Sequence, residues 1–393
     1  MKRGNFWFGS RLALLFLPLV IFSVSCGGGG GDSGGSTGTM NLSLTDQATT
    51  EYQAIYVTIA QVEVQKQGSG GWQVVPLEFQ KKTVNLLILV NGVREELALA
   101  TLATGHYTQM RLILGDTPDD SLNILSRRHP FGNYFIDNND ESFELKIPSG
   151  FQTGIKIVKG FDINENQTTE LLLDFDAARS IVKAGSSGKW LLKPTVKVLE
   201  LKDCSIILGS VKDAESVPVS GVLVSAQVCN SAEGVAEEDW VEVKAATLTD
   251  ESGNYKLFLE PGTYTLVAYK DGYSVSYKDP KIVTTGSNTY PVDFTLYPSD
   301  MGSLSGSVPI TDGATDQYAT ISIRQSVTFL GSPEEEQIEI KSLNVAKRGS
   351  FSDVDLPVGG YTVVISTLGK IANVVKNVTI SKDSTTDLGS VGW

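Results

Sequence analysis

Side chains able to do covalent or acid–base chemistry are sparse in this sequence. Histidine occurs twice, so a Ser-His-Asp or Cys-His site would have to use His106 or His129. His106 sits in "ATGHYTQM", which reads as a turn running into a strand. His129 sits in "SRRHPFGNYF", where Pro130 keeps the chain extended and an exposed loop is expected. No GxSxG, HExxH or phosphate-loop pattern frames either one. Carboxylates are plentiful, but no pair is marked out by context for general acid and base roles. Two acidic loops invite a metal reading. "DNNDESFE" offers Asp137, Asn139 and Glu141 at alternate positions, the opening cadence of a calcium loop. Ser142 stands where the glycine should be and Pro148 where the bidentate glutamate should be, so this is no EF-hand. "DTPDD", Asp116 to Asp120, has turn composition. Trp72, Trp190 and Trp240 could stack on a sugar ring, although each is expected to pack within its own domain. The expectation is therefore no catalytic residue, no metal site, no cofactor and no enzyme.

The segments carrying these residues read as strands. "IYVTIAQVEVQK" alternates apolar and polar residues with period two, then turns through "GSGG" into "WQVVPLEF". "YTQMRLILG" and "TTELLLDFD" are similar. Mixed spacing in "VNLLILVNGVREELALATL" predicts short helical turns at Leu86 to Asn91 and Glu95 to Leu99. The class is all-β, and 393 residues are enough for more than one core.

The N-terminus bears on location. Lys2 and Arg3 precede an apolar run from Leu12 to Val24, which would rise only about 20 Å as a helix, short of a bilayer core of roughly 30 Å. This is the pattern of a secretory signal. The run ends in "SVSC", which resembles the lipobox of bacterial lipoproteins, where small residues precede a cysteine that is lipidated and becomes the mature N-terminus; that family usually has Leu where this chain has Ser23. The resemblance implies a lipid on Cys26, a signal peptide over 1–25 and membrane attachment through acyl chains. "GGGGGDSGGSTGT" then reads as a flexible tether over 26–38. Gly27 after the cysteine, rather than Asp, points by analogy with Gram-negative sorting to the outer membrane. Loss of residues 1–25, which hold three basic residues and no acid, would take the formal charge from −13 to −16. That balance argues against nucleic acid as a partner.

Residues 39–200 resemble the domain of unknown function 4382 of bacterial secreted proteins and lipoproteins. "MNLSLTDQ", "TVNLLIL", "LATGHYTQMRLIL", "LKIPSGFQTGIKI" and above all "TTELLLDFDAARSIVKAGSSGKWLLKPTVKVL" carry the resemblance. Residues 201–299 resemble the carboxypeptidase regulatory-like domain, a transthyretin-like β-sandwich with a carbohydrate-binding-like fold. Gly209, Val219 to Val222, Thr249-Asp250, Gly253 to Tyr255 and Pro261 to Tyr264 match its signature. Residues 300–393 read as a diverged copy of that sandwich, with "GSFSDVDLPVGGYTVVIS" parallel to "GNYKLFLEPGTYTLVAY", Phe351 matching Tyr255 and Tyr361 matching Tyr264.

If Cys26 is lipidated, Cys204 and Cys229 remain as a pair. An antiparallel hairpin turning at Val217-Pro218 would set them opposite each other at its open end, so a disulfide is expected in an exported chain. The function expected is a lipid-anchored, non-catalytic binding or scaffold module of the cell envelope, with a carbohydrate or an envelope protein as partner. The alternative is a carbohydrate-binding accessory protein and, behind it, a hydrolase.

Overall fold

A computed structural model describes residues 35–49, 51–148, 153–184, 189–230, 234–286, 288–309, 318–330, 335–346, 349–367 and 374–391. Cys26, the expected signal segment and most of the expected tether lie outside the described residues; the first described strand opens at Thr37. Residues 36–393 form a compact unit of their own. Among the described residues its secondary structure is almost wholly strand, arranged in several separate sheets, with one four-residue α-turn, Ala177–Ser180. The protein is all-β and multi-domain.

In the N-terminal part, Thr37–Asp46 runs parallel to Thr168–Phe175, with Leu44 opposite Leu173 and Asp46 opposite Phe175. Val196–Glu200 and Glu95–Ala103 flank this pair to complete a four-stranded sheet. Met40, Leu42 and Leu44 alternate inward and meet a second sheet built around Ala54–Lys66 and Gly105–Leu114. The expected helical turn at Leu86 to Asn91 is a 3-10 turn over Leu86–Ile88, capped by Asn85. Glu95 to Leu99, by contrast, is strand. A bulge opposite Leu42/Ser43 leaves Leu97 unpaired, and this extra residue breaks the period-two pattern into helix-like spacing.

The middle sandwich packs the sheet holding Ser205–Asp213 against Val241–Leu248, Leu223–Cys229, Gly262–Tyr269 and Ser276–Val283, in that spatial order. The C-terminal sandwich repeats the arrangement. Met301–Val308 takes the place of Ser205–Asp213, and the facing sheet runs Glu335–Ala346, Tyr318–Thr328, Gly359–Thr367, Val374–Ile380. Phe351 and Tyr361 are buried in the C-terminal core as Tyr255 and Tyr264 are in the middle one.

One device recurs in all three parts. The Tyr107 hydroxyl donates to the Ala103 carbonyl at 3.0 Å, Tyr264 to Glu260 at 2.9 Å and Tyr361 to Pro357 at 2.8 Å. Each tyrosine follows a glycine by two residues and precedes a threonine: "GHYT", "GTYT", "GGYT". The ring enters the core while its hydroxyl ties the strand to the corner just before it. Gly105 supplies a positive φ of 135° at its corner, which a side chain would rarely adopt. Replacing any of the three by Phe should cost about 1 kcal/mol, the net worth of one buried hydrogen bond, as read from urea unfolding.

Candidate functional site

The three parts meet around the strand Glu335–Ala346, and Glu339 at its middle is the focus. The Gln227 side chain of the middle sandwich bonds the Glu339 backbone twice: Nε2 donates to the carbonyl at 2.7 Å, and Oε1 accepts from the amide at 2.8 Å. Gln227 is fully buried and so supplies what a neighbouring strand would otherwise give. The Glu339 carboxylate faces both ways. Its Oε1 lies 3.4 Å from an Arg179 amine nitrogen in the N-terminal part, and its Oε2 accepts from Ser322 Oγ at 2.6 Å. Ser322 in turn accepts from buried Arg324 at 2.8 Å. Arg179 also reaches the Asp176 carboxylate at 3.8 Å, while Asp176 caps its turn by accepting from the Arg179 amide at 3.0 Å.

A second seam joins the N-terminal part to the middle sandwich. Asn91, at φ 57°, donates its amide to Thr247 Oγ1 at 2.6 Å and its side chain to the Asn254 carbonyl at 3.1 Å. The Ala48 amide donates to Ala246 at 3.4 Å, and Gln47 Nε2 is shared between Asp174 at 3.3 Å and the Lys244 carbonyl at 3.4 Å.

Between these contacts lies a cleft of about 290 Å³, close to the lower end of the range typical of small-molecule sites. Leu223, Val243 and Ile340 form apolar wall; Gln47, Arg179 and Gln227 bring hydrogen-bonding groups from two of the three parts. Beside it are three buried carboxylates. Burial pushes Asp174 up to about 7 and raises Asp46 and Asp176 as well. None of these groups was singled out in the sequence. Their signal is acid inside apolar strand ends, "SLTDQ" and "LLLDFD", which becomes meaningful only once the two ends lie side by side.

The sequence-derived candidates sit elsewhere. Cys204 and Cys229 are free thiols, so the expected disulfide is not formed. The hairpin that would have aligned them does not exist: Ser205–Asp213 and Leu223–Cys229 belong to opposite sheets of the sandwich. Cys204 lies near Lys159, Glu260 and Tyr264, whereas Cys229 neighbours Thr265, Glu336 and Arg324, on the other face of the Gly262–Tyr269 strand. Burial pushes the two thiols up to about 12 and about 11.

His129 is buried rather than exposed. Its Nδ1 is 2.8 Å from the Tyr134 hydroxyl and its Nε2 3.0 Å from Ser121 Oγ, with Tyr56 edge-on at 4.7 Å. Burial lowers its pKa. His106 pairs across strands with Asp162 at 2.8 Å. Asp137 accepts the amides of Asn139 and Glu141 at 2.9 Å each, the hydrogen bonds of a hairpin turn. Asp119, in the other acidic loop, accepts from the Thr83 amide at 2.8 Å. Among the described residues no group of three or more His, Cys, Asp or Glu is placed to hold a metal ion. Trp72 stacks under Arg111 at 4.5 Å, Trp190 meets Phe135 edge-on at 4.9 Å, and Trp240 donates to the Val235 carbonyl at 3.0 Å.

Two outcomes follow. Thiol titration should find Cys204 and Cys229 both free on denaturation and both slow to react in the native chain, since little thiolate forms at neutral pH. Gln227→Ala strands the Glu339 amide and carbonyl in a buried site and should cost about 2–3 kcal/mol in denaturant unfolding.

Residues 37–194 match the family Domain of unknown function (DUF4382), and residues 206–297 match the carboxypeptidase regulatory-like domain. No curated protein matches the chain. Among solved structures it is similar to the Bacillus anthracis TIE protein, at 13% identity over 91% of this chain and 50% of that one, with a TM-score of 0.19. It is also similar to a streptococcal ancillary pilin, at 12% identity over 89% and 98%, TM-score 0.20. A third is the shaft pilin SpaA from Lactobacillus rhamnosus GG, at 11% identity over 48% and 97%, TM-score 0.19. The chain spans half the length of the first of these. The chain carries a DUF4382 domain followed by a carboxypeptidase regulatory-like domain.

Proposed function

We propose that this protein is a lipid-anchored, non-catalytic module of the cell envelope: a stiff β body held off the outer membrane by a glycine tether on Cys26, with the central cleft as its binding surface. The observation that carries the reading is the locking of three β parts around Glu339. Gln227 from one side and Arg179 from the other fix their mutual orientation through buried bonds. A body built this way keeps a ligand surface at a set geometry. Both histidines are occupied in structural contacts, which leaves the engaged groups suited to recognition rather than turnover.

The partner class we favour is a small carbohydrate or a carbohydrate-bearing envelope component. The cleft mixes apolar wall from Leu223 and Ile340 with the Arg179 guanidinium and the hydroxyls of Thr49 and Ser342, the combination that binds a ring with an apolar face and a hydroxylated edge. A protein partner is the second reading, favoured by the extent of outward strand surface on Ser276–Val283.

A glycan array with the full-length mature protein tests the binding half. Retention of one glycan class by the wild type, weakened roughly tenfold or more by Leu223→Trp, which fills the cleft, is expected. Retention unaffected by that substitution, or no retained glycan, would overturn the cleft as a carbohydrate site. Mass spectrometry of the N-terminus from membrane fractions tests the anchor: an acylated Cys26 is expected, and an unmodified one would remove the anchor from the proposal.

A further inference from the structure

The carboxylates beside the cleft have more acid than base to meet them. Asp46 ends the strand Thr37–Asp46, Asp174 lies at the end of the parallel strand Thr168–Phe175, and Asp176 caps the turn that follows. All three are buried, at 4%, 6% and 3% exposure. Asp46 Oδ1 accepts from the Ala177 amide at 3.0 Å, but its Oδ2 is buried with no hydrogen-bond partner among the described residues. Glu339 approaches from the C-terminal sandwich. The cations that face this group are Arg179, shared between Asp176 and Glu339, Lys197 on Val196–Glu200, whose ammonium also reaches the Lys244 carbonyl at 3.5 Å, and buried Arg324, which reaches Glu339 through Ser322.

The other charges around the seam are matched elsewhere. Lys244 pairs with Glu242 on its own strand, Lys341 with Glu51 at 3.4 Å, and Lys256 lies over Phe258 at 4.9 Å. Fully ionised, the seam would hold four carboxylates against three cations in a low-dielectric site, and Arg324 stands at the Glu339 end, away from Asp46 and Asp174. Asp46 and Asp174 are the two without a direct ion pair, and Gln47, which bonds Asp174, is also the side chain that crosses to the middle sandwich.

We propose that this seam is a pH-sensitive latch: with Asp46 and Asp174 protonated the N-terminal part is clamped to the middle sandwich, and their ionisation loosens the clamp. The ligand is the proton, and the inference stands independently of what occupies the cleft. The sign follows from the raised carboxyl values. An acid harder to ionise in the folded state than in the unfolded chain stabilises below its unfolded pKa, near 4, and that stability is lost as pH rises through the folded value, about 7 for Asp174. His129 works in the opposite direction. Its lowered value makes the fold lose stability as pH falls below the unfolded histidine value, but it lies in a separate small core with Tyr56 and Tyr134. A local readout therefore separates the two.

The amides of Ala48 and Asn91 both donate across the seam. Amide exchange by NMR on the full chain, corrected for intrinsic rates, should show these two opening on the order of tenfold more readily at about pH 8 than at about pH 5. In Asp46→Asn/Asp174→Asn the difference between the two pH values should largely disappear, with only the part due to Asp176 left, while Asp137→Asn, half-buried in a remote hairpin turn, should keep the wild-type profile. Equal protection at both pH values in the wild type, or an undiminished pH dependence in the double variant, would overturn the latch. If circular dichroism shows the double variant unfolded, Asp174→Asn alone is compared in its place, with the same two outcomes deciding.

Discussion

The whole arrangement depends on how the backbone of Glu339 is satisfied. A strand entering a three-way junction brings peptide groups to a place where no neighbouring strand can pair with them, and a buried unpaired amide or carbonyl is costly. Gln227 meets both groups of that residue with one side chain. With the backbone held, the Glu339 carboxylate is free to receive Arg179 from the N-terminal part and Ser322, backed by Arg324, from its own sandwich.

A polar junction of this kind is a weak source of net stability. Desolvating four carboxylates offsets much of what their hydrogen bonds return, and an apolar interface of equal volume would hold at least as well. What the polar contacts add is geometry: each bond has one acceptable partner and direction, so the parts meet in one orientation. The apolar packing lies within and between the sandwiches, where Val267 and Tyr269 of the middle sheet join the C-terminal core. The same economy leaves Asp46 and Asp174 without ion partners, which is why the seam responds to protons in the sense opposite to His129.

The strands were legible where period two survives in them: in "IYVTIAQVEVQK" Ile55, Val57 and Ile59 alternate into the core. The likeness of the C-terminal part to the middle sandwich was read from residue correspondence, and the two four-stranded sheets share one strand order. Glu95 to Leu99 misled because one bulged residue, Leu97, shifts the phase of its strand. The expected bridge between Cys204 and Cys229 failed because successive strands here cross between sheets instead of pairing, a choice that adjacency in the chain does not encode. His129 looked exposed because Tyr56, the ring set edge-on to it, comes from a strand 73 residues earlier in the chain.

By itself, then, the sequence determined what local physics governs: alternating faces, a turn at Asp116 to Asp120, and an acidic chain with few chemical side chains. Tertiary structure alone decided which ends came together. Asp46 and Asp174 are 128 residues apart and meet only because their strands run parallel. Gln227 and Glu339 meet only because two sandwiches of like design pack face to strand. Alternation tells a residue which side of its own sheet it faces. It carries no information about which other sheet will cover that side, and the junction is made entirely of such meetings.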